Sequence, residues 1–563
     1  MLYLKWTALI SLLTVQNYSL GLVSKVNASK PKLVLILSVD QFRADYLMRF
    51  KDRFLPAKSG KKVGGYQFLM ENGAYYPFAQ YDILQSMTGP GHATLLSGSY
   101  PYNSGVPLNG WYDREKKRGL YCVEDDRYEW IGTQTKSQYA GTSPKSFIGS
   151  TVGDELKNSG YKSKVVTIAL KDRSAIYMGG HRADAAFWFD DKEFKWISSN
   201  YYFPDKNLPK FVADFNQKVG ARKGQQVTWS PRLKKTMEDF FDQTKTYPEN
   251  KILSKIGTQF DHGLMACSPE ELTGPYGIEL TTKFAMETFD YYQLGKNVFP
   301  DLLAISLSSH DYVGHVFGAN SKEIEDMTLA EDYFLSELFN KLNQSIEGGL
   351  KNVLIVLSAD HGVVNNIEWL KEKKVPAGKI KVSELKNKIE KTLVEKLGRL
   401  GAENYILDIY EMNIYLNRDL IKEQKKDIEL VEKICKEVLV QEEGVAYAFS
   451  KTDYEKRTLP PGMFERQILK TYRVDRSGDV IGILKPFFIE SDKNVVTHMT
   501  SYSYDKTVPL ILFGAQFKAG MIPRIVEVVD IAPTLSYILG ITPPAASEGR
   551  ILTEAFLPTS IHY

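Results

Sequence analysis

Cysteine is nearly missing from this 563-residue chain, which has only Cys122, Cys267 and Cys435. Three thiols close at most one disulfide within the chain, and their spacing matches no zinc–cysteine site. Net charge is almost missing as well: 71 basic residues against 68 acidic ones leave +3. That balance gives no reason to expect nucleic acid or a membrane surface as a partner. After the first twenty residues no stretch approaches the ~18 uninterrupted apolar residues of a membrane span, so the mature chain reads as soluble. Internal repeats and low-complexity tracts are absent too. Histidine is scarce, at 8 residues, so any clustering of imidazoles carries information.

One segment differs in character. Lys5 is followed by a mostly apolar run from Trp6 to Val15 and by the small-x-small sequence Ser19-Leu20-Gly21. This is the pattern of an export signal over residues 1–21, and it predicts a periplasmic or secreted protein. The remainder, 22–563, reads as a single domain, and the whole chain has the ordinary composition of globular protein, 43% hydrophobic and 25% charged.

Short, nearly continuous apolar runs recur along that domain: Leu33–Val39, Lys164–Leu170, Leu302–Leu307, Val353–Leu357 and Val508–Phe513. Runs without alternation are the mark of strands covered on both faces. Helical patterns lie between them, including one capped by Ser321 with Ile324, Leu335, Leu338 and Leu342 on its inner side. Strand–helix alternation predicts an α/β fold with a mostly parallel central sheet and helices on both faces. Two regions break the rhythm, at about 185–290 and 364–500, and read as insertions forming a cap. The second holds an amphipathic helix with Leu385, Ile389, Leu393 and Leu397 at four-residue spacing, stopped by Gly398, and a strand near Met412–Leu416.

The groups able to do chemistry follow these runs. Asp40 ends the first strand, as a metal ligand or as the N-cap of the next turn. Asp360-His361 follows the fourth run. Asp311 and His315 share one side of a helical turn by their i, i+4 spacing, whereas His310 falls on another face. His498 is a lone late histidine, either a ligand or a core residue. Thr88-Gly-Pro-Gly-His92 reads as a strand-to-helix turn whose N-terminus attracts an anion, with Gly91-His92 ordering the start of the helix. Three carboxylates, three imidazoles and one hydroxyl suit a two-metal hydrolytic centre.

With these segments the chain resembles the alkaline phosphatase superfamily of two-metal phosphoryl and sulfuryl transferases. Within it, the chain most closely resembles the PafA-type, phosphate-irrepressible bacterial alkaline phosphatases, from about Pro31 to Gly540. The resemblance implies a phosphoric monoester hydrolase with two Zn2+ per chain and Thr88 as nucleophile. It assigns one zinc to Asp311, His315 and His498, and the other to Asp40, Asp360, His361 and Thr88. It also implies that Asn109 contacts a phosphoryl oxygen, although Gly110 departs from the family's Asn-Asp-Trp-Tyr-Asp. Lys171 and Arg173 match the family's Lys-x-Arg pair; two apart in an extended segment, they are expected to point the same way. The expected partners are small phosphate monoesters, with inorganic phosphate as product and a monomeric enzyme.

Competing readings are a phosphodiesterase or phosphonate hydrolase on the same scaffold, relatives that generally lack the Lys-x-Arg pair. A sulfatase lacks support because no Cys/Ser-x-Pro-x-Arg segment stands at the nucleophile. A non-catalytic, metal-dependent phosphate-binding protein is the reading from another class.

Overall fold

All five apolar runs become strands. The structure, a computed structural model, describes residues 30–137, 141–232, 260–491 and 494–558; the expected export signal lies outside them. Eight strands carry the central sheet: β1 (Leu33–Val39), β2 (Ala74–Gln80), β3 (Val165–Ala169), β4 (Ala185–Asp190), β5 (Lys195–Ser199), β6 (Asp301–Leu307), β7 (Val353–Ser358) and, late in the chain, β12 (Thr507–Phe513). Their order is β2-β12-β7-β1-β6-β3-β4-β5, and three two- or three-residue strands at the margins bring the sheet to eleven. The centre, β7-β1-β6-β3-β4, is parallel, while β12 and β5 pair antiparallel with its two ends and β2 pairs antiparallel with β12. The fold is thus the expected α/β arrangement, with antiparallel strands toward both edges.

Residues 185–199, expected at the start of an insertion, instead add β4 and β5 to the main sheet. Ala185-Ala-Phe-Trp-Phe-Asp190 is buried throughout. It has the unbroken apolar pattern of the other buried strands, but is short and flanked by Asp184 and Asp190-Asp191-Lys192.

Four helices matter for the site or its support: α1 (Thr88–Ser97), α2 (Asp172–Gly179), α3 (Ser309–Phe317) and α4 (Lys322–Ser345). The Ser321 hydroxyl accepts the Ile324 N–H at 3.1 Å and caps α4, whose Ile324, Leu335, Leu338 and Leu342 are fully buried. In the cap, α5 (Val382–Leu397) ends at Gly398 with φ +78°, a left-handed angle that glycine adopts without strain. The strands β8 (Ile406–Tyr410), β9 (Asn413–Leu416), β10 (Val445–Ser450) and β11 (Val480–Leu484) form a separate sheet in the order β8-β9-β11-β10. Leu385, Ile389, Leu393, Ile414 and Leu439 belong to a core distinct from that of the main sheet. Each such buried side chain contributes roughly 1.5–3 kcal/mol. Among the described residues no helix is long and apolar enough to cross a membrane, and all three cysteines are free.

Candidate active site

Register assembles the centre. In the parallel ladder Ser38 lies opposite Ser306 and Ser358, and Ser306 opposite Ala169. Asp40, Asp360, the start of α3 and Lys171 therefore all emerge together at the carboxyl edge of four adjacent strands, where parallel α/β sheets gather their sites. Asp40, Asp311, Asp360 and His361 are all buried.

Two groups of side chains converge tightly enough to hold a cation each: Asp40, Asp360 and His361, and Asp311, His361 and His498. His361 belongs to both groups, and its ring stacks on that of His498 at 3.6 Å. His315 reaches the second group through Asp311, its Nε2 lying 3.1 Å from Asp311 Oδ1. Each imidazole is oriented by a backbone carbonyl at its Nδ1: His315 by Val496 at 2.9 Å, His361 by Gly362 at 2.9 Å and His498 by Ser86 at 2.7 Å. A carbonyl can only accept, so Nδ1 carries the proton; at His361 and His498 Nε2 then keeps its lone pair, the usual arrangement of metal-binding histidines, whereas at His315 burial is outweighed by the Asp311 carboxylate facing Nε2, which raises its basicity. Burial lowers the basicity of His361, and burial with its imidazole neighbours lowers that of His498 further. Both stay neutral and able to ligate.

The fit to metal ions can be judged from the polar atoms left over. Among the described residues Asp40 Oδ1, Asp360 Oδ2 and His361 Nε2 find no hydrogen-bond partner although buried, a costly state for such groups. Burial and the nearby charges of Asp360 and Asp311 push Asp40 well above the usual carboxylate range, against the pull of Lys171. Burial also works to raise Asp360, but His361 and His92 outweigh it and hold that carboxyl low. Oxygen and imidazole donors in this mixture suit a divalent ion such as zinc.

Thr88 opens α1, entered from an extended Met87. Its Oγ1 lies 3.4 Å from Lys171 Nζ and 3.5 Å from Arg173 Nη2. His92 bonds the Thr88 carbonyl at 2.9 Å and Ser306 Oγ at 2.9 Å, and approaches Asp360 at 3.2 Å. It thereby ties the first turn of α1 to β6 and to the Asp360-His361 turn. Gly91 is required there, because a Cβ would stand 2.4 Å from the Asp360 carbonyl oxygen.

Lys171 donates to Asp40 at 2.7 Å and to Asp311 at 2.6 Å. It is thus counter-ion to a carboxylate of each group as well as neighbour to Thr88. Burial opposes its charge, yet those two carboxylates raise its basicity above the ordinary lysine value. Lys171 and Arg173 converge by a route other than an extended segment: Lys171 is the extended cap of α2, and Arg173 sits in its first turn. Asn109 Oδ1 accepts the Gly89 N–H at 2.7 Å, which leaves its amide nitrogen as a donor beside the start of α1.

Three residues here gave no signal in the sequence. Gln41, at φ +66°, donates its backbone N–H to Asp360 at 3.0 Å and its side-chain amide to Asp311 at 2.6 Å. A non-glycine residue held in the left-handed region at such a place stores strain that its surroundings must impose. Tyr121 receives Arg173 Nη1 at 3.1 Å and donates to Asp172 at 2.6 Å, fixing the guanidinium. Glu411, at the β8–β9 turn, keeps one carboxyl oxygen buried without a partner among the described residues. Burial and Glu490 push its carboxyl up to about 8, with Arg173 pulling the other way.

Against known proteins, residues 34–500 match the family of type I phosphodiesterases and nucleotide pyrophosphatases. The chain is 32% identical over 559 residues to alkaline phosphatase PafA of Elizabethkingia meningoseptica, covering 96% of this chain and 99% of that one. It is 31% identical to alkaline phosphatase PhoV of Synechococcus elongatus, over 93% of each. The crystal structure of wild-type PafA superposes with a TM-score of 0.84, over 94% of this chain and 99% of that one.

Proposed function

The chain belongs to the type I phosphodiesterase and nucleotide pyrophosphatase family, in the alkaline phosphatase superfamily, and from this premise we propose that it hydrolyses phosphate monoesters through a phospho-threonine on Thr88 at a two-zinc centre. The observation that carries the monoester reading is the pair of cations, Lys171 and Arg173, within 3.5 Å of the Thr88 hydroxyl. A monoester dianion has one more negative charge on its non-bridging oxygens than a diester. Positioned cations therefore complement it preferentially, and such electrostatic complementarity dominates phosphoryl transfer.

Asp40, Asp360, His361 and Thr88 would hold one ion, and Asp311, His315 and His498 the other, with His361 in reach of both. When bound, two zinc ions would activate the Thr88 hydroxyl and stabilise the charge of the leaving oxygen. Thr88 Oγ1 attacks phosphorus in line; its bond to phosphorus forms as the bond to the alcohol breaks, and the alcohol departs with a proton. Arg173, held by Tyr121, presents its planar fork to two phosphoryl oxygens, while Lys171 supplies a point charge. The Asn109 amide donates to a third oxygen. Water then attacks from the vacated side, releasing inorganic phosphate and restoring the hydroxyl. Residues 1–21 are read as an export signal, placing the enzyme in the periplasm or outside the cell.

The test compares kcat/KM for a phosphate monoester with that for a diester of the same leaving group, with metal content by mass spectrometry. A large monoester preference with two zinc ions per chain is expected. A diester preference would favour the phosphodiesterase reading, and metal binding without turnover would favour a phosphate-binding protein.

A further inference from the structure

Beside the centre lies an open cleft of about 370 Å³. Its inner end is formed by Lys171, Arg173 and His315; Trp130 and Tyr312 line it with partly exposed rings, and Trp188 and Phe189 border it while almost wholly buried. These walls come from separate places in the fold: the marginal strand Trp130–Ile131, the end of β4, and the first turn of α3. Resting on the monoesterase reading above, we propose that this cleft receives the leaving group, and that it selects a ring-bearing alcohol without negative charge.

The direction follows from the chemistry of displacement. In an in-line reaction the leaving oxygen lies opposite Thr88, on the side of Asp311, His315 and His498. Of these, His315 lines the cleft, so a substituent on that oxygen extends between the aromatic walls. Flat apolar faces favour a ring over an acyclic polyol by burial and by offset or edge-on ring contacts. The volume lies within the range of ordinary small-molecule sites.

Charge sets the second half of the selection. Among the residues lining the cleft, the cations are Lys171 and Arg173, with His315 beside them, and all three belong to the phosphoryl end. The other charged residues of the lining are acids: Asp172, which lies between Lys171 and Arg173 in the chain, and Asp191. Asp172 is engaged by Tyr121. Asp191 is exposed, and faces a leaving group with its own negative charge. A carboxylate or second phosphate there meets like charge, whereas a neutral or cationic ring does not.

Benzyl and ethyl phosphate test the ring, because their leaving alcohols are similarly basic; 4-carboxybenzyl phosphate tests the charge. For the full-length zinc-loaded enzyme, kcat/KM for benzyl phosphate is expected to exceed that for ethyl phosphate by about tenfold or more. The 4-carboxybenzyl ester is expected to fall below the benzyl ester by about threefold to tenfold. Trp130→Ala should narrow the first ratio. Asp191→Asn, a surface change with little bearing on folding, should narrow the second. Each readout is a ratio on one preparation, so a general loss of folded enzyme cancels. Equal kcat/KM for benzyl and ethyl phosphate, or a carboxylate penalty untouched by Asp191→Asn, would overturn the inference. No turnover of either alkyl ester, with no phospho-enzyme from any monoester, would overturn the monoesterase reading itself and this inference with it.

Discussion

The central sheet and the cap reach the same site by different physics. Asp40, Asp360-His361, Asp311 and Lys171 each follow one strand of a continuous parallel ladder, and the registry of that ladder sets their mutual height. His498 arrives after 130 residues of cap, at the end of a loop whose Val495 N–H bonds the His315 carbonyl at 3.1 Å. The cap also clasps the loop leading to Thr88. Asp82 is held by Arg466 at 3.1 Å and Lys470 at 2.8 Å, and the Leu84 N–H by Thr471 at 2.8 Å. Gln85 accepts from Asn413 at 3.0 Å, and the Ser86 carbonyl meets His498. The candidate ligands on the sheet are therefore fixed by the backbone ladder, while the approach to Thr88, the proposed nucleophile, and the position of His498 depend largely on docking between the cap and the main sheet.

Changes at the shared point should have the largest effect. Thr88→Ala should abolish phospho-enzyme trapping and lower monoester turnover on the order of a thousandfold or more, with metal content retained. Labelled phosphate trapped on the variant at the parent level would remove Thr88 from its role. Next come the cations: replacing Lys171 and Arg173 together by Ala should cost about tenfold to a hundredfold per residue on monoesters and far less on diesters. Equal losses on both would make the pair structural.

The metal complement then separates sheet from cap. His361→Ala, which strikes both ligand groups, should lower zinc content at both sites. His498→Ala should lower it at one only and slow esters with poor leaving groups most. Two full equivalents in the His498 variant would mean that the cap delivers no ligand. A milder probe is Asp82→Asn, which loosens the clasp without touching the sheet. A drop in kcat of roughly tenfold, for misplacing the nucleophile, is expected with zinc unchanged, and parent kcat would show that the sheet alone positions Thr88.

The smallest effect concerns stability. Glu411 in the folded protein stays protonated to about pH 8, far above its ordinary value of 4.5. Between those two values the unfolded chain binds fewer protons than the folded one, so stability falls as pH rises and levels off above about 8. Glu411→Gln removes that loss. Its gain in Tm should be near zero at pH 5 and reach about 1–3 °C at pH 9. A gain equal at both values by calorimetry would show that the carboxyl is not held neutral.

Much of this was legible without coordinates, because it depended on local pattern. Unbroken apolar runs announced the buried parallel strands, the Asp-x-x-x-His spacing announced one helical face, and Ser321 and Gly398 marked helix ends. β4 was missed although Ala185-Ala-Phe-Trp-Phe189 is itself an unbroken apolar run: the charges that flank it, Asp184 and Asp190-Asp191-Lys192, made it resemble the irregular segment that follows. Gln41 was not legible either: its bonds to Asp360 and Asp311 span 319 and 270 residues, and nothing in its neighbours signals a left-handed backbone.

The sequence by itself determined which groups are present and, through resemblance, which family they serve: the Thr88 turn, the Asp-His pairs and the Lys171–Arg173 pair are local features of the chain. Only the tertiary structure decided how they share space. It placed His361 within reach of both ligand groups and Lys171 between Asp40 and Asp311, gave Arg173 its Tyr121 support, and walled the cleft with aromatics from three separate elements. Short-range pattern is written in neighbouring residues, whereas convergence is set by strand register and by the docking of one packed body on another, which no local window of sequence contains.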